Sequence, residues 1–286
     1  MVAGALAEPV LITGCSSGIG HAAAASLRDA GLRVYATARR AETLADLAAR
    51  GIATLPLNVT DEASMAEAVA AVEADAGAVG TLINNAGYGL YGPVEQVPMA
   101  EIRRQFETNF FGLVRLSQLV LPGMRRRQGG RILNVSSMGG RATLPGGAFY
   151  HASKYAVEAF SDALRMEVAQ FGIDVVLIEP GPVKTPWTDV AADSLGDATS
   201  GSETDPYAAY KAAVGVSFGR TTSGFVSRLG SDAQDIAKVI TRAVTARRPR
   251  TRCLINPVAK SLVTMNRLLP GRAYDAIIRH QYGLPA

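Results

Sequence analysis

The chain has 286 residues, of which 48% are hydrophobic and 19% charged. That balance supplies a full-sized core and excludes a disordered polymer. The excess of four positive charges is small. Much of it lies in Arg125-Arg-Arg127 and Arg247-Arg-Pro-Arg250, at expected helix ends where cations complement the helix dipole. No aromatic residues interleave with these arginines to stack bases, so no nucleic-acid partner is expected.

Short apolar runs alternate with longer helical patterns. The spacing predicts strands at 10–13, 33–37, 53–57, 81–84, 131–135, 174–179 and 251–255. It predicts helices at 22–30, 42–50, 62–76, 100–127, 150–170 and 232–246. A repeating strand–helix order needs crossovers, and crossovers give a parallel sheet with helices on both faces. The expected fold is therefore α/β, a Rossmann-type doubly wound parallel sheet in three layers. One domain over 1–286 is the simplest division, with the Ser-, Thr-, Gly- and Ala-rich stretch 185–230 as a substrate-binding loop region. Cys15 lies in a glycine loop and Cys253 in a late strand, which predicts free thiols and a cytoplasmic location. The start, Met1 to Ala7, has no basic flank and meets Glu8-Pro9 too soon for a signal peptide. The uncharged runs 9–27 and 76–94 are broken by Gly, Ser or Asn and read as strands with turns rather than membrane spans.

Gly14, Gly18 and Gly20 follow the first strand and open a helix, in Thr13-Gly-Cys-Ser-Ser-Gly-Ile-Gly20. Glycines there let the backbone approach a pyrophosphate, which then sits on N–H groups at the positive helix end. The spacing differs from the commoner Gly-x-Gly-x-x-Gly, and alone it would also fit a ligand-free turn. The second strand ends in Ala38-Arg39-Arg40, without the acid that holds the ribose 2′-hydroxyl of NAD. This predicts a preference for NADP(H) over NAD(H), with Arg39 as the main contact and Arg40 beside it. The plainer alternative is two solvated arginines.

Tyr150 and Lys154 are four residues apart, hence on one helical face. A phenol titrates near 10, and a nearby ammonium favours the phenolate. Ser137 ends the fifth strand, at the carboxyl edge where open parallel sheets bind ligands. Each piece alone could be structural.

Together, Thr13–Gly20, Asn84-Asn-Ala-Gly87, Asn109, Ser137, Tyr150, Lys154 and Pro180-Gly181 resemble the single-domain short-chain dehydrogenases/reductases, in family order from about residue 9 to 186. The resemblance implies Tyr150 as general acid/base and Lys154 as the group that holds the nicotinamide ribose and lowers the tyrosine pKa. It implies Ser137 orienting the carbonyl and Asn109 anchoring a relay water. Ser16, Ser17 and Ile19 would join the glycines at the pyrophosphate. Asn85, Ala86 and Gly87 would approach the adenosine side, while Pro180, Gly181, Val183 and Thr185 would line the nicotinamide side. Where the family usually has an acid for the adenine amine, this chain has Asn58-Val59, whose amide oxygen can accept that bond. No metal ligand set is implied.

The strand end Tyr35 to Arg40 and the run Glu179 to Thr185 look most like the branch acting on hydroxysteroids, retinoids and similar apolar alcohols or ketones. Leu144, Phe149, Trp187, Tyr207, Phe218 and Phe225 are candidate apolar lining, or ordinary packing residues. The tail 257–286 is read as an amphipathic helix, with Val258, Leu262, Met265 and Leu269 on one face. Packing on its own protein is the favoured role, with membrane-surface association as the lesser one. A homodimer or homotetramer through the helices 100–127 and 150–170 is implied by the resemblance. The leading function is oxidation or reduction of a small apolar carbonyl or alcohol. A non-catalytic NADP(H)-sensing regulator on the same fold is the alternative.

Overall fold

A computed structural model describes residues 9–184, 194–195, 205–222 and 230–284. The first half contains β1 (Val10–Ile12), α1 (Gly18–Asp29), β2 (Val34–Ala38), α2 (Ala45–Ala49), β3 (Ala53–Pro56), α3 (Glu62–Ala76) and β4 (Thr81–Asn84). Then follow α4 (Met99–Phe106), α5 (Gly112–Arg126), β5 (Gly130–Val135), α6 (Ala148–Val168), β6 (Ile173–Pro180) and β7 (Val183–Lys184). The remainder comprises α7 (Ala208–Thr222), β8 (Ser231–Asp232), α8 (Ala233–Thr245), β9 (Arg252–Ile255), α9 (Pro257–Leu268) and α10 (Gly271–Tyr282).

Seven strands form one parallel sheet in the order β3-β2-β1-β4-β5-β6-β9. Its inner strands are buried on both faces, which is why they read as unbroken apolar runs. In β1, Val10 and Ile12 point to one layer, with α1 and α8, and Leu11 to the other, with α3, α5 and α6. These are the two cores of a three-layer doubly wound fold. The strand order reverses at β1, because β2 and β4 flank it, and the crevice opens above that point.

Local chemistry sets several helix starts. Asp61 caps α3 by accepting from Ser64 N at 3.1 Å. Asp232 and Asp235 form a reciprocal capping box on α8. Asn256 caps α9 ahead of Pro257 and accepts from Ala259 N at 2.9 Å.

Two predicted helices are corrected. The span 100–127 is divided by a π-helical segment, Glu107–Phe111, into α4 and α5. The extra residue in that turn carries Asn109 into the interior, where its amide bonds the backbone of Tyr88 on both sides. The tail is two helices rather than one, because Pro270 cannot continue α9 and instead begins α10. Val263 of α9 with Tyr274 and Ile278 of α10 packs on Ala142. Among the described residues no helix is long and apolar enough to cross a membrane.

A buried polar chain ties α6 to the sheet. Asn84 Nδ2 donates to Asn134 Oδ1 at 2.9 Å, Asn134 Nδ2 to Ser161 Oγ at 2.9 Å, and Ser161 Oγ to Val157 O at 2.6 Å. Removing the central link leaves buried donors and acceptors without partners. Asn134→Ala is expected to destabilise the protein by about 2–3 kcal/mol in urea unfolding. A loss below half of that would show that the chain contributes little.

Candidate active site

A cavity of about 930 Å³ occupies the carboxyl edge of the sheet. Its inner rim is the loop between β1 and α1, contributing Gly14, Ser16, Ser17, Gly18 and Ile19. Gly14 and Gly18 adopt φ of 71° and 58°, a left-handed backbone that favours glycine. Gly20 does not line the cavity. A Cβ there would collide with the Gly14 carbonyl oxygen, so Gly20 lets α1 pack against the loop. Ser17, at the start of α1, makes no side-chain cap, and the first turn holds no acid. The leading N–H groups are therefore left for an anion, as a dinucleotide phosphate requires.

Asn85 braces the loop and also faces the cavity. Its Nδ2 donates to Thr13 O at 2.9 Å and Gly14 O at 3.1 Å, while Thr13 Oγ1 accepts from Asn85 N and Ala86 N, both at 3.0 Å. The Asn-Ala-Gly segment thus bolts the glycine loop in place, with Asn85, Ala86 and Gly87 also on the cavity wall. Arg39 lines the cavity and Arg40 stands outside it, exposed. Asn58 and Val59 line it too, and Asn58 Oδ1 accepts from Thr60 N at 3.2 Å and Thr60 Oγ1 at 3.0 Å. This local turn fixes the Asn58 side chain on the cavity wall. Pro180, Gly181 and Val183 line the opposite rim, while Thr185 lies outside the described residues.

Ser137, Tyr150 and Lys154 converge on the cavity's inner wall. Ser137 follows β5 and its hydroxyl bonds the Tyr150 side chain. It also accepts from Gly139 N at 3.0 Å, which fixes the turn that presents it. Lys154 Nζ donates to Val135 O at 2.8 Å, at the end of the same strand. Asn109 does not line the cavity. Its Nδ2 reaches Tyr88 O at 2.9 Å and Ser153 Oγ at 3.1 Å, so its side chain braces the floor. A Cβ on Gly87 would lie 3.1 Å from Asn109 Oδ1 and 3.6 Å from Lys154 Nζ, so glycine keeps that space clear.

The family model for short chain dehydrogenases matches residues 8–195. The chain belongs to the short-chain dehydrogenase family. Its members bind NAD(P) and are oxidoreductases of alcohol and carbonyl groups. The chain is 33% identical over 273 residues to the uncharacterized oxidoreductase YbbO of Escherichia coli K12, covering 95% of this chain and 94% of that one. It is 32% identical over 276 residues to retinol dehydrogenase 8 of Bos taurus, covering 91% and 85% respectively. A short-chain dehydrogenase structure from Streptomyces avermitilis superposes with a TM-score of 0.77 at 33% identity, covering 96% of each chain.

In this short-chain dehydrogenase, burial dominates the site's electrostatics. Desolvation pushes Tyr150 up to about 12, opposed by the Ser137 hydrogen bond. Lys154 is not among the causes of that shift, in which burial is the largest. Desolvation also lowers Lys154, to about 8, with the charge of Glu158 acting the other way.

The outer wall was largely missed in the sequence. Of the proposed lining residues Leu144 is present, whereas Phe149 lies off the cavity and Tyr207 is tied by its hydroxyl to Glu95 at 2.8 Å. Trp187 and Phe225, and the side chain of Phe218, lie outside what is described. Tyr91 and Tyr282 take their place. The Tyr91 ring stands 5.9 Å from that of Tyr150, and Tyr282 arrives from the end of α10. His151 was also missed, although it stands inside the Tyr150–Lys154 motif. Its Nδ1 donates to Gly139 O at 3.0 Å and its Nε2 accepts from Leu144 N at 3.1 Å, so it holds the loop after Ser137.

Burial lowers His151 from 6.5 to about 4. The unfolded chain then takes up the proton first, so the neutral ring adds stability above pH 6.5 that is lost as pH falls toward 4. The stability advantage of wild type over His151→Gln, measured by urea unfolding, is expected to shrink by about 3 kcal/mol from pH 7 to pH 4. Other titrating groups cancel in that difference. A difference independent of pH would contradict a neutral, buried ring.

Proposed function

We propose that this protein transfers hydride between NADP(H) and an apolar alcohol or carbonyl compound of steroid, retinoid or lipid type, with Tyr150 exchanging the proton. The observation that carries this reading is the convergence of Ser137, Tyr150 and Lys154 on one wall of a cavity whose outer wall is Tyr91, Leu144 and Tyr282. When bound, the nicotinamide supplies or accepts the hydride. The chain's own groups handle the oxygen and the proton.

In the reducing direction, the Ser137 hydroxyl hydrogen-bonds the substrate oxygen and holds it beside the phenol. Tyr150, kept protonated by burial, gives its proton to that oxygen as negative charge develops there. Lys154 holds the ribose and, as an ammonium, stabilises the phenolate that remains. Asn109, engaged by Tyr88 and Ser153, keeps the floor rigid beside a relay water. The Gly14–Gly18 loop seats the pyrophosphate, and Arg39 takes the 2′-phosphate.

The apolar substrate class is supported by the aromatic wall and by similarity to a protein named retinol dehydrogenase 8. Phe111, Tyr155 and Met166 leave 50%, 40% and 76% of their surface exposed along the π segment and α6, which fits pairing into a homodimer or homotetramer. A cytoplasmic location fits the two free cysteines. The tail's role in this reading is to close the outer end of the pocket, not to bind a membrane.

Arg39→Ala is expected to cut the preference for NADPH over NADH in kcat/KM by about tenfold or more, the worth of one charge-assisted bond. Unchanged discrimination would remove Arg39 from the cofactor site. Tyr282→Ala is expected to raise KM for bulky apolar ketones by about tenfold, from lost aromatic burial, while KM for NADPH stays the same. Activity confined to small polar carbonyls would contradict the substrate class.

A further inference from the structure

Behind Lys154 lies a set of charged side chains that the proton-transfer reading leaves without a task. Glu158 follows Lys154 by one turn on the same face of α6. It is buried, and Glu179 on β6 is fully buried near it. Arg252 of β9 spans the two: Nη2 lies 3.2 Å from Glu158 Oε2, and Nε lies 3.1 Å from Glu179 Oε1. The same guanidinium reaches Asp162 Oδ2 at 2.5 Å, and Arg141 reaches Glu179 Oε2 at 3.3 Å. Tyr155, also on α6, senses both Glu158 and Arg141.

This cluster abuts the active-site turn. A Cβ on Gly140 would lie 2.8 Å from Ser136 Oγ and 3.0 Å from both Glu158 Cγ and Lys154 O, so only glycine lets the turn after Ser137 rest on this stretch of α6. Two carboxylates in the core are costly, and apolar residues of the same shape would often serve stability as well. Lys154 Nζ, meanwhile, bonds a neutral partner, the Val135 carbonyl. The negative charge acting on it is that of Glu158.

We propose that Glu158 is a positioning residue that holds Lys154 as an ammonium, and that Arg252 and Glu179 fix the Glu158 carboxyl behind it. The ionisation of the two residues is linked. Burial first, and the neighbouring Glu179 second, raise Glu158 to about 7, against the pull of Ser136 and Arg252. Lys154 stands near 8. Where Glu158 is ionised, its charge favours the ammonium form of Lys154, which then keeps its proton to higher pH. The consequence for turnover rests on the role proposed for Lys154, whereas the ionisation itself does not.

The test is carbon-13 NMR of lysine-labelled protein, with the Lys154 signal assigned by its absence in Lys154→Met. Glu158→Gln is expected to lower the Lys154 midpoint by about one pH unit. Asp162→Asn, which removes a different partner of the same arginine, should leave the midpoint in place. Equal midpoints in wild type and Glu158→Gln would overturn the proposal, as would an equal fall in both variants. Should Glu158→Gln fail to fold, wild type alone decides: a second inflection of the Lys154 signal near pH 7 is expected, and a single-step curve overturns the linkage. NADPH titration then separates the two readings. An affinity gap between wild type and Glu158→Gln that widens from pH 6 to pH 8 supports the proposed task. If NADPH fails to bind wild type, the cofactor reading fails, while the NMR result still decides the linkage.

Discussion

Pairing of β1 with both β2 and β4 is the constraint on which the site depends. The chain builds one half of the sheet outward from β1, then returns across it to start the other half. Connections leaving β1 and β4 therefore diverge, and the crevice between them exposes the N-terminal end of α1. Thr13 and Asn85 close the bottom of that crevice with four hydrogen bonds between the two loops. The glycine loop is thus held by the segment after β4, and the loop and the wall bearing Ser137, Tyr150 and Lys154 share one rigid frame. The Asn84–Asn134–Ser161 chain extends the frame to α6, which carries Tyr150 and Lys154.

Desolvation then sets the chemistry within that frame. The same dryness that keeps Tyr150 protonated disfavours the charge on Lys154 and on His151. These effects serve different ends. A neutral phenol suits the proton donation proposed for it, and a neutral imidazole is a fixed strut for the loop bearing Ser137. A neutral lysine would instead remove the cation proposed to stabilise a phenolate. Burial therefore creates a need for a compensating negative charge near Lys154, and Glu158 stands one turn away.

Much of the frame was legible in the sequence because double burial writes itself as continuous apolar runs. Thus β1, β2, β4, β5 and β6 were readable, and even the edge strands β3 and β9 fell where expected. The glycine loop and the Ser137, Tyr150 and Lys154 set were readable because each pairs a local spacing with a strand end. Less legible were features that depend on distant contacts. The π turn at Asn109 follows from its bonds to Tyr88, which no helical period records. Tyr282 reaches the pocket from the far end of the chain, and Arg252 meets Glu158 across 94 positions. Asn58 shows the converse case, a local turn with Thr60 that motif reasoning did not read.

The most direct measurement of the central claim is deuterium transfer. NADPH carrying deuterium at the reactive nicotinamide carbon would be mixed with apolar ketones and aldehydes, and the alcohol products read by mass spectrometry. The account predicts deuterium at the carbinol carbon with wild type and its loss with Tyr150→Phe, while that variant still binds NADPH. Transfer that continues at the wild-type rate in Tyr150→Phe would contradict the assignment of the proton to this residue.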